Sequence, residues 1–163
     1  MSTRKAKLTL AGVLVACAFG GIALRLAWAT PGSGGTTTVL SGPVAFDDIH
    51  VQSATPEHTV AINTRGISDV FVSHIKFVPG GHSGWHSHPG PSLISVKSGT
   101  LTLYDDCDDF LTGHVYSAGT GLVEDAGCVH RVVNEGATDL EIYVVQIVPL
   151  GAPRRIDEPA PLP

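Results

Sequence analysis

Charge is scarce in this chain, and basic charge most of all. Asp, Glu, Lys and Arg make up 15% of the 163 residues, with 10 Lys and Arg against 15 Asp and Glu. A nucleic-acid-binding protein needs a basic footprint, and this balance argues against one. Sustained helical periodicity is missing too. No stretch from residue 39 to 150 repeats apolar positions at helical spacing between capping residues, which excludes a helix bundle. Cysteine is limited to Cys17, Cys107 and Cys128. There is no convincing internal repeat, no nucleophile elbow and no evident acid–base carboxylate pair, so the common hydrolase signatures are absent.

What remains is apolar, turn-rich and β-forming. Hydrophobic residues reach 43% and glycine contributes 19 positions, a composition suited to short strands joined by tight turns. The length fits one domain with accessory segments. Strand signals read VFVSHIKFV at 70–78, SLISV at 92–96, TLTLY at 100–104, HVYSA at 114–118, CVHRVVN at 128–134 and LEIYVVQIV at 140–148. The pair at 92–104 flanks Lys97-Ser98-Gly99 and is expected as a hairpin. Spaced strands of this kind predict an all-β sandwich or barrel.

The first 29 residues read differently. Arg4, Lys5 and Lys7 precede a charge-free run from Leu8 to Leu24, and Ala27-Trp28-Ala29 offers small residues at a cleavage site. This is a secretory signal pattern. Arg25 ends the apolar run at 17 residues, short for a membrane span, so a retained anchor is the main rival. A lipidation box ending at Cys17 is the third reading. All three place the domain outside the cytoplasm, secreted or periplasmic, with membrane contact only through this segment. Removal of Arg4, Lys5, Lys7 and Arg25 leaves six basic residues against 15 acidic ones, a formal charge of −9. Residues 30–40 are expected as a flexible Gly/Ser/Thr linker, 41–150 as the domain and 151–163 as a loose Pro-rich tail. In an exported domain Cys107 and Cys128 could form a disulfide. Alternatively they are separate thiols, with Cys128 two residues before His130 and able to approach a metal.

Three of the eight histidines, His82, His86 and His88, fall within seven residues. On a strand, residues i and i+2 share a face, so His86 and His88 can aim at one point, with His130 on a later strand as third ligand. Three neutral imidazoles leave coordination positions open, as in catalytic or ligand-binding sites rather than closed structural ones. An isolated His-x-His pair is more plainly read as two surface histidines in a turn, so the surrounding residues decide.

Those residues resemble the cupin superfamily. Its first motif, G-x5-H-x-H-x3,4-E-x6-G, is matched by Gly80, His86, His88 and Gly99. Its second, G-x5-P-x-G-x2-H-x3-N, is matched by Gly119, Gly127, His130 and Asn134. The glutamate slot holds Ser92 (Leu93 at the longer spacing), and the proline slot holds Asp125. The resemblance implies a small jelly-roll β-barrel with a metal near one end of its lumen, held by His86, His88 and His130. Fe(II) or Zn is favoured, with Mn, Ni and Cu open. His82, Ser92, Glu124 and His74 are additional or outer candidates. Glu124 and Asp125 could orient an imidazole, but a solvated acidic turn is the preferred reading. Asp105, Asp106, Asp108 and Asp109 read as a solvated loop. His74 reads as a satisfied core histidine, or more sharply as a base lining the pocket. Tyr143 and Gln146 have opposite parity, so at most one lines the lumen.

Fold does not give function. One reading is a metal-dependent enzyme, an oxidoreductase such as a dioxygenase, acting on a small anionic ligand. The alternative is a non-catalytic extracytoplasmic module that binds a metal or small molecule. Related barrels often dimerise through edge strands, which makes a homodimer an open expectation.

Overall fold

The computed structural model describes residues 29–162; the signal, anchor and lipidation readings of the first 28 residues, Cys17 included, lie outside them. Among the described residues there is no helix, and none long and apolar enough to cross a membrane. Twelve strands follow in order: β1 (Ser33–Phe46), β2 (His50–Ala54), β3 (Thr59–Asn63), β4 (Ser68–His82), β5 (His86–Ser87), β6 (Ser92–Ser98), β7 (Thr100–Asp105), β8 (His114–Ser117), β9 (Gly121–Glu124), β10 (His130–Val133), β11 (Leu140–Pro149) and β12 (Ile156–Asp157).

Ten strands make one antiparallel, barrel-like sheet of two halves. One half runs β1–β4–β11–β6–β9 and the other β12–β5–β10–β7–β8. They join where the end of β4 meets β10, at Val133 opposite His82. The remaining hairpin, β2–β3, stands apart as a two-stranded sheet and carries His50 away from the barrel interior.

The core follows from two-residue alternation. Ser92, Ile94 and Val96 of β6 are buried while Leu93 and Ser95 are exposed. Leu140, Ile142, Val144, Gln146 and Val148 of β11 are buried in the same way. These rows meet Leu101, Leu103, Leu122 and Val132 from the other strands in one hydrophobic cluster. At one end of that cluster the inward positions turn polar: Ser92 before Ile94, Gln146 after Val144, Glu124 after Leu122, His130 before Val132. The alternation that builds the core therefore also aims the site.

Three expectations are corrected. Residues 92–98 and 100–105 are strands but not a hairpin: β6 pairs with β11 and β9, and β7 with β10 and β8. A single intervening residue, Gly99, is too short for a hairpin loop, which takes two or more. Gly99 instead passes the chain between the halves at φ +77°, where a Cβ would lie 2.6 Å from the Asp139 carbonyl. Next, much of the stretch expected as a linker is β1, paired with β4 from Ser33 to Phe46. Its threonines are β-branched, and pairing along one edge of β4 satisfies its backbone without a buried face. Finally, the tail is not loose. Ile156 and Asp157 pair with Ser87 and His86, and the Glu158 backbone bonds to Trp85 and Thr30.

Candidate metal centre

The three histidines reach one point by different routes. His86 and His88 are two residues apart along the chain. His130 lies directly opposite His86 in the antiparallel β5–β10 pair, so both side chains leave the same face. Ring centroids are 4.9 Å apart for His86 and His88, 4.4 Å for His86 and His130, and 5.0 Å for His88 and His130. All three rings are buried.

Their protonation pattern is written in the backbone. His86 Nδ1 lies 3.0 Å from the Gly84 carbonyl, His130 Nδ1 3.0 Å from the Cys128 carbonyl and His88 Nδ1 2.6 Å from the Arg154 carbonyl. A carbonyl only accepts, so each Nδ1 carries the proton and donates, and each Nε2 is left as the free ligand atom. One nitrogen from each ring lies within 4.8 Å of the others. His130 Nε2 is buried and faces the Glu124 carboxylate at 3.3 Å. These are the features a divalent ion held by imidazoles requires, and the residues fit one.

The surroundings fix this trio tightly. Gly84 adopts φ +71°, and a Cβ there would meet the Thr30 carbonyl at 2.0 Å, so only glycine lets the β4–β5 connection lie against Thr30–Gly32 ahead of β1. Gln146 Nε2 is 3.1 Å from the Arg154 carbonyl, 3.3 Å from Ser92 Oγ and 3.1 Å from His88 Nδ1. Because His88 Nδ1 already donates to Arg154, the Gln146 amide donates to the first two. Asn134 is fully buried; it donates to the Phe77 and Thr138 carbonyls and accepts from the Gly136 amide. It fixes the turn between β10 and β11.

Glu124 is the residue whose preferred sequence reading fails. It is not in a solvated turn: it is 2% exposed, on β9, with Oε2 3.2 Å from His88 Nε2 and Oε1 3.3 Å from His130 Nε2. Its neighbour Asp125 has the opposite parity and is exposed. Glu124 is the cross-strand partner of Ser92, the position where the motif glutamate is missing. Burial favours its neutral form, but the hydrogen bonds and charges of His130 and His88 prevail and hold it well below the usual carboxylate range. Burial likewise opposes charge on His130, yet the Glu124 carboxylate wins and raises its pKa. Without a metal the two form an ion pair. His86 has no such partner; burial, then the charges of His130 and Arg155, push it down to about 3.

The other candidates separate clearly. His82 lines the same cavity but its Nδ1 accepts from the Gly84 amide, so it carries the opposite tautomer and stands outside the trio. His74 is neither a core histidine nor a pocket base. It sits on the outer face of β4, half-exposed, bonded to Glu141 at 2.9 Å and tilted against Tyr143. Of the parity pair, Gln146 lines the cavity and Tyr143 is exposed. Cys107 and Cys128 are joined in a disulfide, which removes both as ligands. Sequence reasoning missed Arg154 and Arg155, which line the cavity from a tail with no periodicity to signal them. Glu124 had a usable signal, since it stands two residues after the inward Leu122.

Residues 73–146 match the cupin domain family. Among solved structures, the polyketide cyclase RemF from Streptomyces resistomycificus aligns at TM-score 0.54 and 15% identity, over 78% of this chain and 75% of that one. A cupin domain from Bordetella pertussis aligns at TM-score 0.48 and 20% identity, over 70% and 93%. A conserved protein of unknown function from Streptococcus pyogenes aligns at TM-score 0.44 and 21% identity, over 50% of this chain and 66% of that one. The likeness to RemF is one of fold. No curated protein matches the chain.

Proposed function

Since the chain carries a cupin domain over residues 73–146, we propose that His86, His88 and His130 hold a divalent metal that binds a small anionic ligand, and that the protein is a metal-dependent oxidoreductase of dioxygenase type. The observation that carries the reading is the shared orientation: three Nδ1 atoms set against backbone carbonyls and three imidazoles gathered around one point. A divalent ion there, Fe(II) or Zn(II) by ligand type, would supply Lewis acidity and, as iron, redox chemistry with O2. The chain's own residues do the rest. Three neutral imidazoles and the adjacent Glu124 carboxylate leave a divalent ion one positive charge to be met by an anion. Glu124, buried beside His88 and His130, stays ionised and sets a fixed negative charge against the imidazoles that would hold the ion. The apolar walls, Ile94, Ile142 and Val144 among them, exclude water from the ligand. We also infer export, which the Cys107–Cys128 disulfide supports, since such bonds persist in oxidising compartments.

Elemental analysis of protein taken from its native compartment, beside His86→Ala, tests the metal. About one equivalent in the wild type and little in the variant is expected; equal metal in both refutes the site. Oxygen uptake by the iron-reconstituted protein, with a panel of diketones, flavonoids and thiols, tests the enzyme. Ligand-induced thermal stabilisation without oxygen uptake would instead make the protein a binding module.

A further inference from the structure

The cavity beside the three histidines encloses about 350 Å³, at the small end of ligand pockets. Its walls are apolar over Ile75, Phe77, Ile94, Ile142 and Val144, and four charged side chains line it: Glu124, Asp157, Arg154 and Arg155. Three of the four are accounted for. Glu124 lies between His88 and His130. Arg155 Nε donates to Asp157 Oδ1 at 2.6 Å. Arg154 is left over: among the described residues it makes no ion pair.

Arg154 is nonetheless held in place. Its Nη1 donates to Ser73 Oγ at 2.9 Å, and Ser73 is 1% exposed, so the anchor is rigid. The guanidinium carbon stands 5.3 Å from the Phe71 ring centroid, within cation–π range. Only one of the five N–H donors is committed to the protein. The result is a half-buried, preorganised fork with no counter-ion, in the wall of the cavity that holds the histidines. Its own carbonyl meanwhile receives the His88 Nδ1 proton, so one residue both orients a site histidine and offers charge to a ligand.

We infer that Arg154 is the anion-binding residue of this cavity and that the ligand is a small organic acid, one carboxylate on an apolar body. The assignment deepens the reading above by naming the ligand class. A guanidinium fork matches a carboxylate in two parallel hydrogen bonds. One unpaired cation asks for one negative charge, and the aliphatic walls ask for an uncharged remainder.

The test is calorimetric titration of the full chain, zinc-loaded and metal-free, with hexanoate, benzoate and cinnamate, and with benzamide and phenyl phosphate as comparisons. At least one acid is expected to bind, benzamide at least tenfold more weakly than benzoate, and phenyl phosphate no better than benzoate. Arg154→Gln should lose roughly 10- to 100-fold in acid affinity, the range for charge-assisted hydrogen bonds, with zinc content unchanged. Arg154→Lys keeps the charge without the fork and should fall between. Lys76→Gln, at a cation paired with Asp139 and outside the cavity lining, should change affinity less than threefold. Several results would overturn the assignment: equal binding of benzamide, indifference to both Arg154 variants, tighter binding of phenyl phosphate, or no binding of any acid. Failure of the metal reading looks different, because the chain then takes up no zinc while metal-free acid binding keeps its dependence on Arg154.

Discussion

Glu124→Gln is the substitution that most directly tests how the centre is wired. The carboxylate is 2% exposed and touches two imidazole Nε2 atoms, at 3.2 and 3.3 Å. Leaving a buried charge without its partner costs about 3–5 kcal/mol when the partner is deleted. Glutamine keeps the volume and one accepting oxygen, so the metal-free variant should lose less, about 1–3 kcal/mol.

Metal binding carries the sharper signature. In the wild type Glu124 favours the protonated form of His130, and an ion arriving at Nε2 must displace that proton. Calorimetry in buffers of different ionisation enthalpy should therefore detect net proton release on zinc binding, growing as pH is lowered toward the ordinary histidine range. In Glu124→Gln the charge that raised the His130 pKa is gone, the imidazole is already neutral, and the released proton should disappear. Affinity should nevertheless fall, by about 10- to 100-fold, since the carboxylate also compensates the bound cation. A variant with wild-type affinity and unchanged proton release would show that Glu124 is a bystander.

Three further outcomes are expected. Replacing Cys107 and Cys128 by serine opens a bridge spanning a sequence separation of 21; urea denaturation should show a loss of about 3 kcal/mol, and reductant should bring the wild type to the same midpoint. In metal-free protein, His86 has a folded pKa of about 3, below its unfolded value of about 6.5. Between those values the unfolded chain binds the proton and the folded chain does not, so His86 makes stability fall as pH falls. His86→Gln should flatten denaturation midpoints measured from about pH 6.5 down to about 4, and an unchanged slope would refute the burial of a neutral imidazole there. Leu140 is 0% exposed in the hydrophobic cluster, and Leu140→Ala should lower stability by about 2–5 kcal/mol, read from the denaturant midpoint.

β6, β10 and β11 were legible because each alternates a buried row with a more exposed one, a local signal, whereas β5 and β9, which carry His86 and Glu124, are too short to give one. VFVSHIKFV and LEIYVVQIV announce β4 and β11 through β-branched content alone. β1 was not legible, since Gly and Thr without alternation read as a linker; its strand character comes from the edge of β4, distant in sequence. The tail was illegible for a related reason. What binds it is mostly main chain, with Glu158 bonded to Trp85 and Thr30 and the Arg154 carbonyl to His88, and backbone groups look alike at every residue. The export-like leader pattern makes a bond between Cys107 and Cys128 chemically reasonable without deciding it, because the bond depends on how the loop after β7 lies against the approach to β10.

The carboxylate illustrates the same limit at the site itself. A motif written as residue spacing measures along one chain segment, and by that measure Ser92 leaves the centre without an acid. The centre is assembled across strands. Ser92 and Glu124 are register partners in the β6–β9 pair, and directly opposed residues project to one face with Cβ atoms about 5 Å apart. An acid lost from β6 can thus be regained on β9 with its oxygens still within reach of the imidazoles. The approach differs, however: Glu124 contacts His88 and His130, and the clustered ligand atoms are those of the three histidines alone. The substitution therefore keeps a negative charge at the centre while moving it toward two of the three rings. That asymmetry divides the trio: the carboxylate overcomes burial and raises His130, while burial, then the charges of His130 and Arg155, lowers His86, and proton release on metal binding is the measurement that distinguishes this centre from a symmetric set of histidines.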